Sequence, residues 1–128
     1  MNKELIELQK GIKATCVVIK DEDIQTLDIG IVFDAKINNN LFLGKTGNPF
    51  FREKLESILK ISDIAYFVIR GIDEVSESMQ NRYVGLVKDR EFNGYKLPDN
   101  VIIVLTVKNT ESLKKISKEL YHFCVIAI

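Results

Sequence analysis

Short apolar runs alternate along the chain with longer stretches whose apolar positions recur every three or four residues. The first stretch, residues 2 to 12, sets Leu5, Ile6, Leu8 and Ile12 at largely helical spacing, which predicts a short amphipathic helix. Ala14 to Ile19 is apolar and β-branched and precedes the acidic Asp21-Glu22-Asp23, so a buried strand leading into a solvated turn is expected. Ile29 to Phe33 predicts a second strand, ended by the turn chemistry of Asn38-Asn39-Asn40. Phe51, Leu55, Ile58 and Leu59 then recur at helical spacing behind Pro49, a residue tolerated in a first helical turn, and predict a helix from Phe50 to Lys60.

Ile64 to Ile69 is an unbroken apolar run, the pattern of a central strand covered on both faces. A helix is expected from about Ser76 to Lys88, carrying Met79, Tyr83, Val84, Leu86 and Val87. Asn93-Gly94 between Glu91-Phe92 and Tyr95-Lys96 predicts a hairpin, because both turn residues accept positive φ. Val101 to Thr106 is a further buried strand, and Asn109 or Thr110 is placed to cap a helix whose face is Leu113, Ile116 and Leu120. Phe123 to Ile128 is the last strand. Strands alternating with helices predict one α/β domain over residues 1–128, an open and mainly parallel sheet with helices on both faces in three layers.

Composition narrows the function classes. The chain has 128 residues, and its eighteen basic residues balance eighteen acidic ones. No block of like charge stands out to recruit nucleic acid or anionic lipid, so neither is an expected partner. Cys16 and Cys124 each lie in an apolar run, where cysteine acts as a small hydrophobe, and they have no CxxC spacing. A reducing, cytoplasmic setting fits this usage, and no stretch has the length of a membrane span.

The segment from Ile72 to Asn109 carries the most information. It runs from an apolar strand ending in Ile72-Asp73-Glu74, through a helix with Met79-Gln80-Asn81 and a hairpin, to Leu97-Pro98-Asp99-Asn100, another apolar strand and Asn109. This order resembles the AAA+ ATPases, and within them the MoxR-like branch, over roughly residues 64 to 128. The resemblance implies a P-loop-NTPase-like fold. It also implies that Asp73 and Glu74 stand where the family's Walker B acids hold Mg²⁺ and polarise the attacking water. Asn109 looks like the sensor-1 asparagine that faces the γ-phosphate.

The departures from the family pattern are equally specific. A phosphate cradle needs G-x-x-x-x-G-K-[ST], so that backbone N–H groups close around the phosphates and a lysine supplies charge. Gly44-Lys45-Thr46 is the only such tripeptide, and Asn39 stands where the first glycine belongs. His122 occupies the place of the family's finger arginine, and an imidazole cannot supply that permanent cation. In the family the strand bearing the cradle lies between the sensor strand and the last strand. Losing it leaves a gap, to be filled either by Ala14 to Ile19 or by a second copy in a homodimer through the sheet edge.

Plainer readings stand beside each assignment. Asp73 and Glu74 suit the N-terminus of a helix, Gly44 to Gly47 suits an ordinary turn, and Asn109 suits a helix cap. His122 is the single histidine, so no His-based metal cluster arises, and it is expected as a partly buried strand residue. The combined expectation is a catalytically inactive AAA+-like remnant that needs no cofactor and binds a protein partner. One alternative is a divergent ATP- and Mg²⁺-binding domain using Asp73, Glu74 and Asn109 with Gly44, Lys45 and Thr46. The other is an unrelated α/β interaction module.

Overall fold

The computed structural model describes residues 16–27, 30–36, 49–92 and 95–128. Among these residues the main sheet has five strands, all parallel: β1 (Cys16–Lys20), β2 (Gly30–Asp34), β3 (Ala65–Arg70), β6 (Val101–Val107) and β7 (Cys124–Ile126). Their order is β2-β3-β6-β1-β7. The other two strands, β4 (Glu91–Phe92) and β5 (Tyr95–Lys96), form the expected antiparallel pair, with Phe92 opposite Tyr95. The predicted turn residues Asn93 and Gly94, the amphipathic stretch 2 to 12 and Gly44-Lys45-Thr46 lie outside the described residues.

Chain direction explains where the helices go. The connections β2 to β3, β3 to β6 and β6 to β7 all cross the sheet the same way, and right-handed crossovers therefore bring their helices to one face. Leu55 and Ile58 of α1 (Pro49–Ile61), Leu86 and Val87 of α3 (Val84–Asp89) and Leu120 of α4 (Lys118–Tyr121) do share one buried cluster. The sheet contributes alternate residues to it, among them Cys16, Val18, Phe67, Ile69, Ile103 and Leu105. The connection from β1 to β2 runs the other way. It opens with the 3-10 turn Asp21–Thr26, whose Ile24, with Leu27 after it, packs on the opposite face against Val17, Ile19, Tyr66, Val68, Ile102 and Val104. Each such large apolar side chain contributes roughly 1.5–3 kcal/mol when fully buried.

Several expectations are corrected. The helix predicted from Ser76 to Lys88 is two short helices, α2 (Glu77–Asn81) and α3. At Tyr83 the backbone N–H turns to the carbonyl of Gln80, three residues back, which tightens the turn between them. The helix expected beyond Asn109 is likewise a 3-10 turn, Thr110–Lys115, followed after an extended Ser117 by α4. His122 is an exposed residue at the C-terminal cap of α4 and is not in a strand; its ring meets Phe123 edge-on at 5.2 Å. Among the described residues no helix is long and apolar enough to cross a membrane.

The slot between β6 and β7 is filled by β1, in register from Cys16 opposite Ile103 to Lys20 opposite Val107. The described sheet therefore has no internal gap, and its free edges are β2 and β7.

Candidate functional site

Parallel α/β sheets build their sites at the carboxyl ends of the strands, near the point where successive connections leave on opposite faces. Here that point lies between β1 and β6, and a cleft of about 540 Å³ opens there. Asp21 and Glu22 enter it from the end of β1, Asp34 from β2, Arg70 and Gly71 from β3, and Lys108 and Asn109 from β6, with Glu74 in the turn after β3. Four carboxylates thus face two cations, so the lining is acidic on balance.

One network organises the cleft. Arg70 donates from Nε to Oδ1 of Asp21 at 3.2 Å and from Nη2 to Oδ2 at 2.7 Å. This fork spans the end of β6, which lies between the two strands that carry them. From β6 itself, the Thr106 hydroxyl donates to Asp21 Oδ1 at 2.9 Å and accepts the Gly71 N–H at 3.0 Å. Thr106 is fully buried, a polar residue in an otherwise apolar strand, and this pair of bonds satisfies it. Gly71 has φ 73°, the left-handed conformation that lets the chain leave β3 at once for the 3-10 turn Ile72–Glu74. The hydrogen bond to Asp21, and then its charge, raise the Arg70 pKa above its ordinary value, so this guanidinium stays a cation.

The residues singled out in the sequence separate in space. Glu74 lines the cleft but its carboxylate lies 3.7 Å from the Lys36 ammonium. Asp73 is buried and does not line the cleft; its Oδ2 accepts the Lys108 N–H at 3.3 Å, and Oδ1 has no hydrogen-bond partner. Asn109 caps the 3-10 turn, its side-chain oxygen accepting from the N–H and the hydroxyl of Ser112, each at 3.0 Å. Gln80 from the Met79-Gln80-Asn81 motif is buried, and pins the start of α4. Its amide donates to the carbonyls of Val75 at 3.1 Å and Lys115 at 2.8 Å and accepts the Ser117 N–H at 2.6 Å. Pro98 presents its carbonyl to Arg90, which donates to it at 2.8 Å and to Val101 at 2.6 Å.

Asp21, Arg70 and Thr106 were not legible as a unit, although each left a trace: an acid one residue beyond an apolar run, a cation ending one, and a hydroxyl near the end of a third.

Among the described residues the carboxylates do not converge into a Mg²⁺ site. A metal needs several unengaged oxygens converging on one point. Here Asp73 lies outside the cleft lining, and of the four carboxylates on it Asp21 is taken by Arg70 and Thr106, Asp34 accepts the Lys36 N–H at 2.9 Å and Glu74 faces the Lys36 ammonium. Among the described residues no cluster of three or more metal-ligating side chains exists. No protein-family model matches the chain, and no curated protein or solved structure matches it either.

Proposed function

We propose that this domain is a catalytically inactive relative of the AAA+ ATPases that acts in the cytoplasm by binding another protein. The observation that carries this reading is the acidic segment at the end of β1. In the family the strand between the sensor strand and the last strand leads into a glycine-rich loop with a lysine. Here the strand in that position, between β6 and β7, leads directly into Asp21-Glu22-Asp23. A phosphate brought there meets carboxylates in place of amides and an ammonium. Each like-charge pair at about 4 Å costs on the order of 4 kcal/mol at a surface-like effective dielectric. Arg70 offsets little of this, because its charge is already shared with Asp21.

Gly44-Lys45-Thr46 follows β2 in the sequence and not β1, the strand that fills the position between β6 and β7. The geometry of Asp73, Glu74 and Asn109 supports structural roles for all three. A partner-binding role fits the sheet edge at β2, where Val32 is 47% exposed, and a second copy is one occupant of that edge.

Titration of the chain with a fluorescent ATP analogue and Mg²⁺ tests the inactive reading. No binding is expected in the micromolar range, and saturable micromolar binding overturns it. Light scattering across a range of concentrations tests the second copy: a strict monomer at the highest concentration excludes it.

A further inference from the structure

The two cysteines, 108 residues apart in sequence, face each other across the β1–β7 boundary. Cys16 opens β1 and is paired in parallel register with Cys124, which opens β7. Their sulfurs lie 2.9 Å apart, at hydrogen-bond distance, with either able to donate. A covalent S–S bond is about 2.05 Å long, so closing one asks the sulfurs to approach by a little under 1 Å. Adjacent strands run about 4.8 Å apart, inside the roughly 4.4–6.8 Å Cα separation that disulfides span. Little backbone movement is needed.

The two thiols are not equivalent. Cys16 is fully buried, and its hydrogen bond to Cys124 and its burial push its pKa far above the ordinary thiol range. Cys124 is partly exposed, its thiol donating to the Leu120 carbonyl at 3.1 Å. A small uncharged oxidant therefore meets Cys124 first, with Cys16 in place to resolve the product. We infer that Cys16 and Cys124 are a redox-sensitive pair, which a small peroxide converts to an intramolecular disulfide fastening the edge strand β7 to β1.

The chemistry balances with hydrogen peroxide as the two-electron oxidant. The Cys124 sulfur attacks one peroxide oxygen and gives up its proton, the O–O bond breaks, and the leaving hydroxide takes that proton as water. The Cys124 sulfenic acid is then attacked by the Cys16 sulfur. The S–S bond forms, the S–O bond breaks, and the oxygen departs as a second water carrying the Cys16 proton. Both thiols are oxidised and the peroxide is fully reduced.

The pair sits at the amino end of β1, whereas Asp21 follows its carboxyl end, about 16 Å away at roughly 3.3 Å per residue. The switch is therefore independent of the cleft and of the proposed loss of nucleotide binding. What it changes is the hold on the terminal strand. Among the described residues β7 is a three-residue edge strand that pairs with β1 alone, and a bond from Cys16 to Cys124 closes a loop over most of the chain.

The test uses the full chain, reduced and then treated with hydrogen peroxide. Intact mass under denaturing, acid-quenched conditions is expected to fall by about 2 Da and to recover with dithiothreitol. Proteolytic mapping should join the Cys16 and Cys124 peptides, and Tm should rise by at least about 5 °C. Cys124→Ser and Cys124→Ala should each abolish the mass loss, and since the decisive readout is made on the unaltered chain, misfolding of a variant leaves the result intact. Unchanged mass, oxygen added at Cys124 in steps of about 16 Da, a disulfide-linked dimer, or an internal bond that leaves Tm unmoved overturns the inference.

Discussion

Arg70 grips Asp21 through two hydrogen bonds that bridge from β3 to β1 over the end of β6, and Thr106 of that middle strand supports the same carboxylate from below. Exposure decides how much each part is worth. The Arg70 and Asp21 side chains are 46% and 34% exposed, so water and salt screen the fork. Asp21→Asn is expected to cost only about 0.5 kcal/mol, less at high salt. Thr106 is fully buried and serves two partners, and Thr106→Val leaves the Gly71 N–H without its acceptor. Its expected cost is about 2 kcal/mol. Urea unfolding of the two variants checks the order; a larger loss for Asp21→Asn contradicts it.

Asn109 separates a structural role from a sensing one. Its side-chain oxygen holds Ser112 at the start of a 3-10 turn, so Asn109→Ala is expected to lower stability by about 1 kcal/mol. Asn109→Ser, which keeps a capping oxygen, should recover most of it. Thermal unfolding of both variants provides the comparison, and an Asn109→Ala protein as stable as the parent removes the cap from the account.

What the sequence made legible was local. Apolar runs mark every strand of the main sheet to within a residue or two, because the central strands β1, β3 and β6 are covered on both faces and the edge strands β2 and β7 still carry mostly apolar residues. Helix continuity was not legible. Leu113, Ile116 and Leu120 keep helical spacing, yet the backbone breaks at Ser117, since residues from a 3-10 turn and from α4 can both reach the same cluster. The site was hidden for a different reason. Its contacts join residues 49 and 85 positions apart, Arg70 with Asp21 and Thr106 with Asp21, and no local pattern encodes which strand ends become neighbours. Cys16 and Cys124 were readable only as two small hydrophobes for the same reason.

Gln80 lies under the junction that sequence periodicity missed. Its amide joins the turn before α2 to the start of α4 through three hydrogen bonds, all with backbone groups. Gln80→Ala strands the Ser117 N–H and two carbonyls in a buried place, where each unsatisfied group costs about 1–3 kcal/mol before relaxation and water entry. A net loss of about 3 kcal/mol is expected, the largest of the substitutions considered. Gln80→Glu should also destabilise, because a carboxylate has no hydrogens to offer the Val75 and Lys115 carbonyls. Denaturant midpoints test this, and a loss of under about 1 kcal/mol for Gln80→Ala shows that the bridge does not hold the two segments together.

Tyr83 gives the fold a dependence on alkaline pH. Burial first, and then the negative charge of Asp34, push its phenol up to about 12, because both disfavour the phenolate. In the unfolded chain the same group ionises near 10. The folded-state value is the higher one, so its contribution to stability is whole below about pH 10 and is lost as pH climbs toward about 12. The size of that loss is on the order of 2 kcal/mol. Unfolding free energies measured from pH 9 to pH 12 should fall more steeply for the parent chain than for Tyr83→Phe. Lysines and the other tyrosines titrate in both proteins and cancel in the difference. Whatever Tyr83→Phe does to stability at neutral pH, it removes the ionisation that the slope reports. Parallel curves for the two proteins would mean that the Tyr83 hydroxyl is hydrated in the folded state.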